Sequence, residues 1–98
     1  WPLTTLMQMQ GIFTKAYNSI QNCSATRKAM LKSRIDQESA FYRYALIDIF
    51  GTQAYTTQQL KTAIDDFYAI KNSINAEPYN KINIETTVQN WKDKYNLN

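Results

Sequence analysis

The sequence predicts an all-α fold, an antiparallel up-down bundle of three long helices and a short C-terminal one. Three observations carry that expectation. Apolar residues recur at alternating spacings of three and four along most of the chain, which gathers them on single helical stripes. No segment alternates apolar and polar residues with the β-branched enrichment of a strand, Ile82-Asn83-Ile84 being too brief. The connections between periodic stretches are short, which sets neighbouring helices antiparallel.

The first helix is expected from about Leu3 to Gln21, with Leu3, Leu6, Met9, Phe13, Ala16, Tyr17 and Ile20 on its inner side. Pro2 suits its first turn, where a missing N–H costs nothing. Gly11 lies mid-helix at about 1 kcal/mol relative to alanine and is read as marking a close helix crossing. Asn22 to Ser24 forms the break.

The second helix is expected to start from Ser24 or Thr26 as cap and to reach Phe50, where Gly51 supplies a left-handed terminator. Its inner stripe is read as Leu31, Ile35, Tyr42, Ala45 and Ile49, flanked by Met30, Phe41, Leu46 and Phe50. Glu38 falls on that stripe. Arg34, four residues earlier, is placed to pair with it, so Arg34 and Glu38 are expected to form a structural ion pair that closes the bundle.

Thr56 and Gln59 make a T-x-x-Q capping box for the third helix, which carries Leu60, Ala63, Ile64, Phe67, Ile70 and Ile74 and ends near Asn75. Pro78 enforces a stop. Asn83 is the expected cap of the fourth segment, in which Ile84, Val88, Trp91 and Tyr95 step by four, three and four.

With 98 residues the chain makes one domain, residues 1–98, able to fold without metal or disulfide. Its 44% apolar and 19% charged residues, with two Gly and two Pro, exclude disordered and collagen-like classes. The chain has no histidine, so it builds no His-ligated metal site, Ser-His-Asp triad or Cys-His pair alone. The single Cys23 allows neither an internal disulfide nor a structural zinc site. Asp65 and Asp66 diverge by about 100° on a helix and are read as a solvated face. No enzymatic activity and no cofactor is expected.

The net charge of +3 is mildly basic. Much of it comes from Arg27, Lys28, Lys32 and Arg34, but Lys32 and Arg34 have Asp36 and Glu38 four residues on as partners. The alternative is an independent small helical protein that binds a partner or nucleic acid through a basic face on the second helix, Arg27 and Lys28 to Arg34. Nucleic acid is the disfavoured partner, because no RNA- or DNA-binding signature accompanies the run. No apolar run is long enough to span a membrane. Phe41-Tyr42-Arg43-Tyr44 and Asp66-Phe67-Tyr68 place aromatics on more than one side of their helices. Phe41, Tyr44 and Tyr68 are therefore the candidate contact residues, since rigid aromatics bury area at low entropic cost. The expected partner is a neighbouring domain or another protein.

Around the second helix the order of features is Ile12-Phe13 and Ala16-Tyr17, then Arg34-Ile35-x-x-Glu38, then Phe41-Tyr42-x-Tyr44-x-Leu46. This stretch, from about Leu6 to Leu46, resembles the helical region that follows the catalytic barrel in secreted, Bacteroidetes-type glycoside-hydrolase-like proteins of unknown function. The resemblance implies a bundle buttressing a sugar-processing barrel, with catalytic acids elsewhere and Arg34 and Glu38 as a conformational clamp. An Asn-, Gln- and Thr-rich surface and a start at Trp1-Pro2 agree with a domain from an exported, extracellular or periplasmic protein.

Overall fold

The computed structural model describes residues 1–75 and 77–98. Those residues form an all-helical fold with four α-helices: α1 (Leu3–Ser19), α2 (Ala25–Ala45), α3 (Thr57–Ala69) and α4 (Ile84–Lys94). α2 does not stop cleanly. It widens into a π-helical turn, Leu46–Phe50, and then tightens into a 3-10 turn, Gly51–Gln53. Two more 3-10 turns, Lys71–Ser73 and Tyr79–Lys81, lie between α3 and α4.

The caps are local and chemical. Ser24 Oγ accepts the Arg27 N–H at 3.3 Å to start α2. Thr56 Oγ1 accepts the Gln59 N–H at 3.2 Å while Gln59 Oε1 accepts the Thr56 N–H at 2.9 Å, a complete reciprocal box. Asn83 Oδ1 accepts the Thr86 N–H at 3.0 Å, and α4 carries Glu85 in its first turn and Lys92 and Lys94 in its last, both favourable to the helix dipole.

α2 is the central element, and the partners along each helix pair run in opposite directions. Phe13 stacks on Tyr42, while Tyr17 further along α1 reaches back to Asp36. Phe67 of α3 meets Tyr44, and Ser73 beyond it meets Ser33. Lys71 meets Glu85, whereas the earlier Phe67 packs on Trp91.

Two apolar cores result. Leu6, Tyr42, Ala45 and Leu46 form one, with Phe13, Phe41 and Phe50 against it. The larger gathers Ala40, Ile47, Leu60, Ile64, Phe67, Ile70, Ile74, Val88 and Trp91. Leu6, Leu46, Ile47, Leu60, Ile64 and Phe67 are fully enclosed, each burial favouring the fold by roughly 1.5–3 kcal/mol.

α4 also holds the end of α2. The Trp91 indole N–H donates to Asp48 Oδ1 at 2.9 Å, Lys94 Nζ donates to the Asp48 carbonyl at 3.0 Å, and the Tyr95 hydroxyl donates to the Ile47 carbonyl. Helix C-termini leave carbonyls without intrahelical partners, and α4 supplies the missing donors.

The buried part of α2 reaches beyond the apolar stripe of the sequence: Tyr42 and Ala45 of that stripe are buried, but so are Asp36, Ser39 and Ala40 outside it, whereas Glu38 faces solvent. Arg34 and Glu38 do approach, at 3.8 Å, but their side chains are 78% and 62% exposed. They form a surface pair within one helix and do not close the bundle. Ile49, expected inside, is 63% exposed because the π turn advances the register of the last residues. Nothing lies near a Cβ built on Gly11, so that glycine marks no helix crossing. α3 ends at Ala69, not near Asn75, and the apolar residues Ile70 and Ile74 are buried from beyond it.

Candidate functional site

Two features of α2 stand out, a chain of aromatic rings on one side and a polar network on the other. The aromatic chain begins at the surface. Trp1, 69% exposed, sits edge-on to Phe41 with centroids 5.5 Å apart. Phe41 meets Tyr79 at 6.4 Å, Tyr79 meets Tyr44 at 5.4 Å, and Tyr44 meets Trp91 and Phe67 at 5.3 and 6.1 Å. The rings thus run from solvent into the main core without a break. Edge-to-face and tilted geometries of this kind add about 0.5–1.5 kcal/mol per pair beyond area burial.

Of the three aromatic contact candidates, Phe41 and Tyr44 are brought together in this chain, both half-buried. Tyr44 packs against the core through Phe67 and Trp91. Phe41 lies under Trp1 and stays near the surface. Tyr68 is elsewhere: it is 39% exposed, and its hydroxyl accepts from Lys71 Nζ at 2.9 Å. Lys71 also stands over the Tyr68 ring at 4.1 Å and pairs with Glu85 at 3.2 Å. That cluster ties α4 to the end of α3.

Further along α2, Met30 and Arg34 lie on the same helical face as Phe41, about 16 and 10 Å from it along the axis. Met30 is 63% exposed. The surface therefore carries Trp1, Met30, Arg34, Phe41 and Tyr79, residue types enriched at protein interfaces. Sequence reasoning missed Trp1, Met30 and Tyr79 as members. The Met30-Arg34-Phe41 spacing was the available signal; nothing local relates Trp1 or Tyr79 to it.

On the other side of α2, Asp36 is buried and receives two donors, the Tyr17 hydroxyl at 2.6 Å and Lys32 Nζ at 2.8 Å. The Arg43 guanidinium continues the line, with Nε donating to Ser39 Oγ at 2.8 Å and Nη2 to the Tyr17 hydroxyl at 3.1 Å. The Ser39 hydroxyl is itself spent on the Asp36 carbonyl at 2.8 Å. Arg43 also lies over the rings of Tyr17 and Tyr42, 5.8 and 5.6 Å from their centroids. Burial, then the bond to Asp36, pushes the Tyr17 phenol above its ordinary value. Burial pushes Tyr42 up to about 12, with the Arg43 charge opposing it.

The basic run does not assemble into a patch. Lys32 is drawn to Asp36 and Arg34 leans toward Glu38. Arg27 is exposed and Lys28 half-buried, on different sides of the first turns of α2. Cys23 is a half-buried free thiol just before the α2 cap. Among the described residues no cluster of acidic or cysteine side chains is arranged to hold a metal ion, and no helix is long and apolar enough to cross a membrane. No protein-family model, curated protein or solved structure matches the chain.

Proposed function

We propose that this chain is a non-catalytic accessory domain that docks onto a partner protein or a neighbouring domain through the Trp1–Met30–Arg34–Phe41–Tyr79 face. The observation that carries the reading is Trp1. A tryptophan left 69% exposed keeps a large apolar surface in water, and here it is held edge-on to a half-buried ring rather than free. Rigid aromatic anchors bordered by Arg and Met are the composition of binding hot spots. The ring chain beneath supports the face, because moving Trp1 or Phe41 disturbs Tyr79 and Tyr44 in turn. The neighbour implied by the sequence resemblance is a sugar-processing barrel of an exported protein, with this domain as its buttress and the catalytic acids in the barrel.

The test is a differential capture from extracts of the source cells. Wild-type chain is compared with Trp1→Ala, Met30→Glu and Lys61→Glu, the last on an exposed position of α3. A protein retained by wild type and Lys61→Glu, and lost by the two face variants, supports the reading. Identical captured sets for all four chains overturn it. If what is retained is nucleic acid, released by salt and by Arg27→Glu with Lys28→Glu, the basic surface is the site instead.

A further inference from the structure

A cleft of about 380 Å³ lies between α1 and α3, floored by α2 and distinct from the aromatic face. Past Arg43 and Asp66, which line both spaces, it continues into a second depression of about 270 Å³. The two charges oppose one another across the cleft, Arg43 from α2 and Asp66 from α3. Among the described residues the Asp66 carboxylate makes no ion pair or hydrogen bond, so the attraction between them is not closed by contact.

Arg43 is held in place before any ligand arrives. Ser39 and Tyr17 take two of its donors and the Tyr17 and Tyr42 rings flank the guanidinium. A guanidinium has five N–H donors, which leaves three for a planar acceptor such as a carboxylate. The remaining polar lining of the first cleft is neutral: Gln10, whose amide donates to the Tyr55 hydroxyl at 3.3 Å, with Gln58 and Thr62; Lys32 and Asp36, which line the second, are paired with each other at 2.8 Å. Met7, Ile47 and Ala63 supply an apolar part.

The geometry points to a site for a small zwitterion, an α-amino acid with an apolar side chain. The carboxylate meets Arg43, the ammonium meets Asp66, and the side chain lies toward Met7 and Ala63. A simple anion would meet Asp66 as a like charge, and a simple amine would meet Arg43 as one, so each half alone is penalised. The volume is at the small end for ligand pockets and is enough for one amino acid.

Leucine is the probe, with its two halves as controls: isocaproate lacks the ammonium and isoamylamine lacks the carboxylate. Binding is read by calorimetry on the intact chain at probe concentrations up to ~10 mM, covering dissociation constants in the millimolar range and below. Leucine is expected to bind at least about tenfold more tightly than either half, a difference of about 1.4 kcal/mol. Asp66→Asn, at an exposed position, is expected to fold normally by circular dichroism, to lose leucine by about the same factor and to bind leucine and isocaproate alike. Arg43→Gln is expected to abolish leucine binding. Absence of leucine binding to the wild-type chain, or leucine binding unaltered in Asp66→Asn, overturns the site.

Discussion

The ring of Tyr95 occupies the space where Gly51 would carry a side chain. A Cβ on Gly51 would clash with the edge of the Tyr95 ring and with its hydroxyl, and the hydroxyl donates to the Ile47 carbonyl. Gly51 has φ +50° and ψ −113°, outside the small left-handed region open to other residues. Helix α2 therefore turns at a residue that must be glycine for two separate reasons, backbone conformation and the tyrosine seated against it.

Gly51→Ala is accordingly expected to cost about 2–4 kcal/mol, from strain at positive φ and displacement of an anchored ring. Tyr95→Phe removes only the donor to Ile47 and is expected to cost about 1–2 kcal/mol. In a Tyr95→Ala background the steric part vanishes, so Gly51→Ala there should cost less than in wild type. Urea midpoints for the four chains give the coupling. Strict additivity would remove Tyr95 from the explanation.

The two carboxylates of α2 should behave oppositely to their placement on the apolar stripe of the sequence. Asp36, buried between Tyr17 and Lys32, is expected to cost about 1–3 kcal/mol when changed to alanine, since a buried hydroxyl and an ammonium lose their acceptor. Glu38→Ala, breaking an exposed pair, is expected to cost less than about 1 kcal/mol. Chemical denaturation of both variants decides. A larger loss for Glu38→Ala would restore the clamp that the sequence resemblance implies.

How much of this was legible in the sequence depends on whether the cause is local. The Thr56–Gln59 box and the Asn83 cap are local, since a side chain meets a backbone N–H three residues away, and both are found as read. The stripes of α1, α3 and α4 were also legible because each helix packs one face. α2 and the π turn that extends it pack two, against α1 through Tyr42 and Leu46 and against α3 through Ala40 and Ile47. The line between those faces is Asp36, Ser39 and Arg43, polar residues that apolar periodicity cannot register. Their burial depends on Tyr17, which is brought to them by the fold and not by sequence spacing. Ile49 was misplaced because a π turn inserts a register shift that no residue type announces. Phe41 was visible as an outward aromatic, but Trp1 and Tyr79 reach it only in three dimensions.

Alkaline pH should weaken the fold through its phenols. Tyr42 is pushed up to about 12 by burial, and Tyr17, Tyr44 and Tyr55 are raised as well, chiefly by burial. A raised folded value means that the native state holds its proton more tightly than the unfolded chain. The stabilisation is complete below the unfolded tyrosine value near 10 and is lost as pH rises toward 12. Urea midpoints are expected to be flat in this respect below that value and to fall above it, with a shallower fall in Tyr42→Phe. A Tyr42→Phe profile parallel to wild type would contradict the assignment.

The two tryptophans should separate spectroscopically. Trp91 is 2% exposed with its indole N–H bonded to Asp48, whereas Trp1 is 69% exposed. Trp1→Phe is expected to leave a blue-shifted emission from Trp91 and to change stability by no more than about 0.5 kcal/mol, as exposed positions do. Trp91→Ala, by contrast, should cost about 3–5 kcal/mol. A red-shifted emission in Trp1→Phe would place Trp91 in water and break the ring chain at its inner end.

Contact between the aromatic face and a protein is tested most directly by crosslinking from that face. A photoreactive residue is placed at Met30, and in a separate chain at Asn90 on α4, and each is irradiated in the source cells. That contact is expected to give a discrete protein adduct from position 30, absent from position 90 and strongly reduced by Trp1→Ala. The same adducts from both positions, an adduct from position 30 indifferent to Trp1→Ala, or no adduct from position 30 would contradict it.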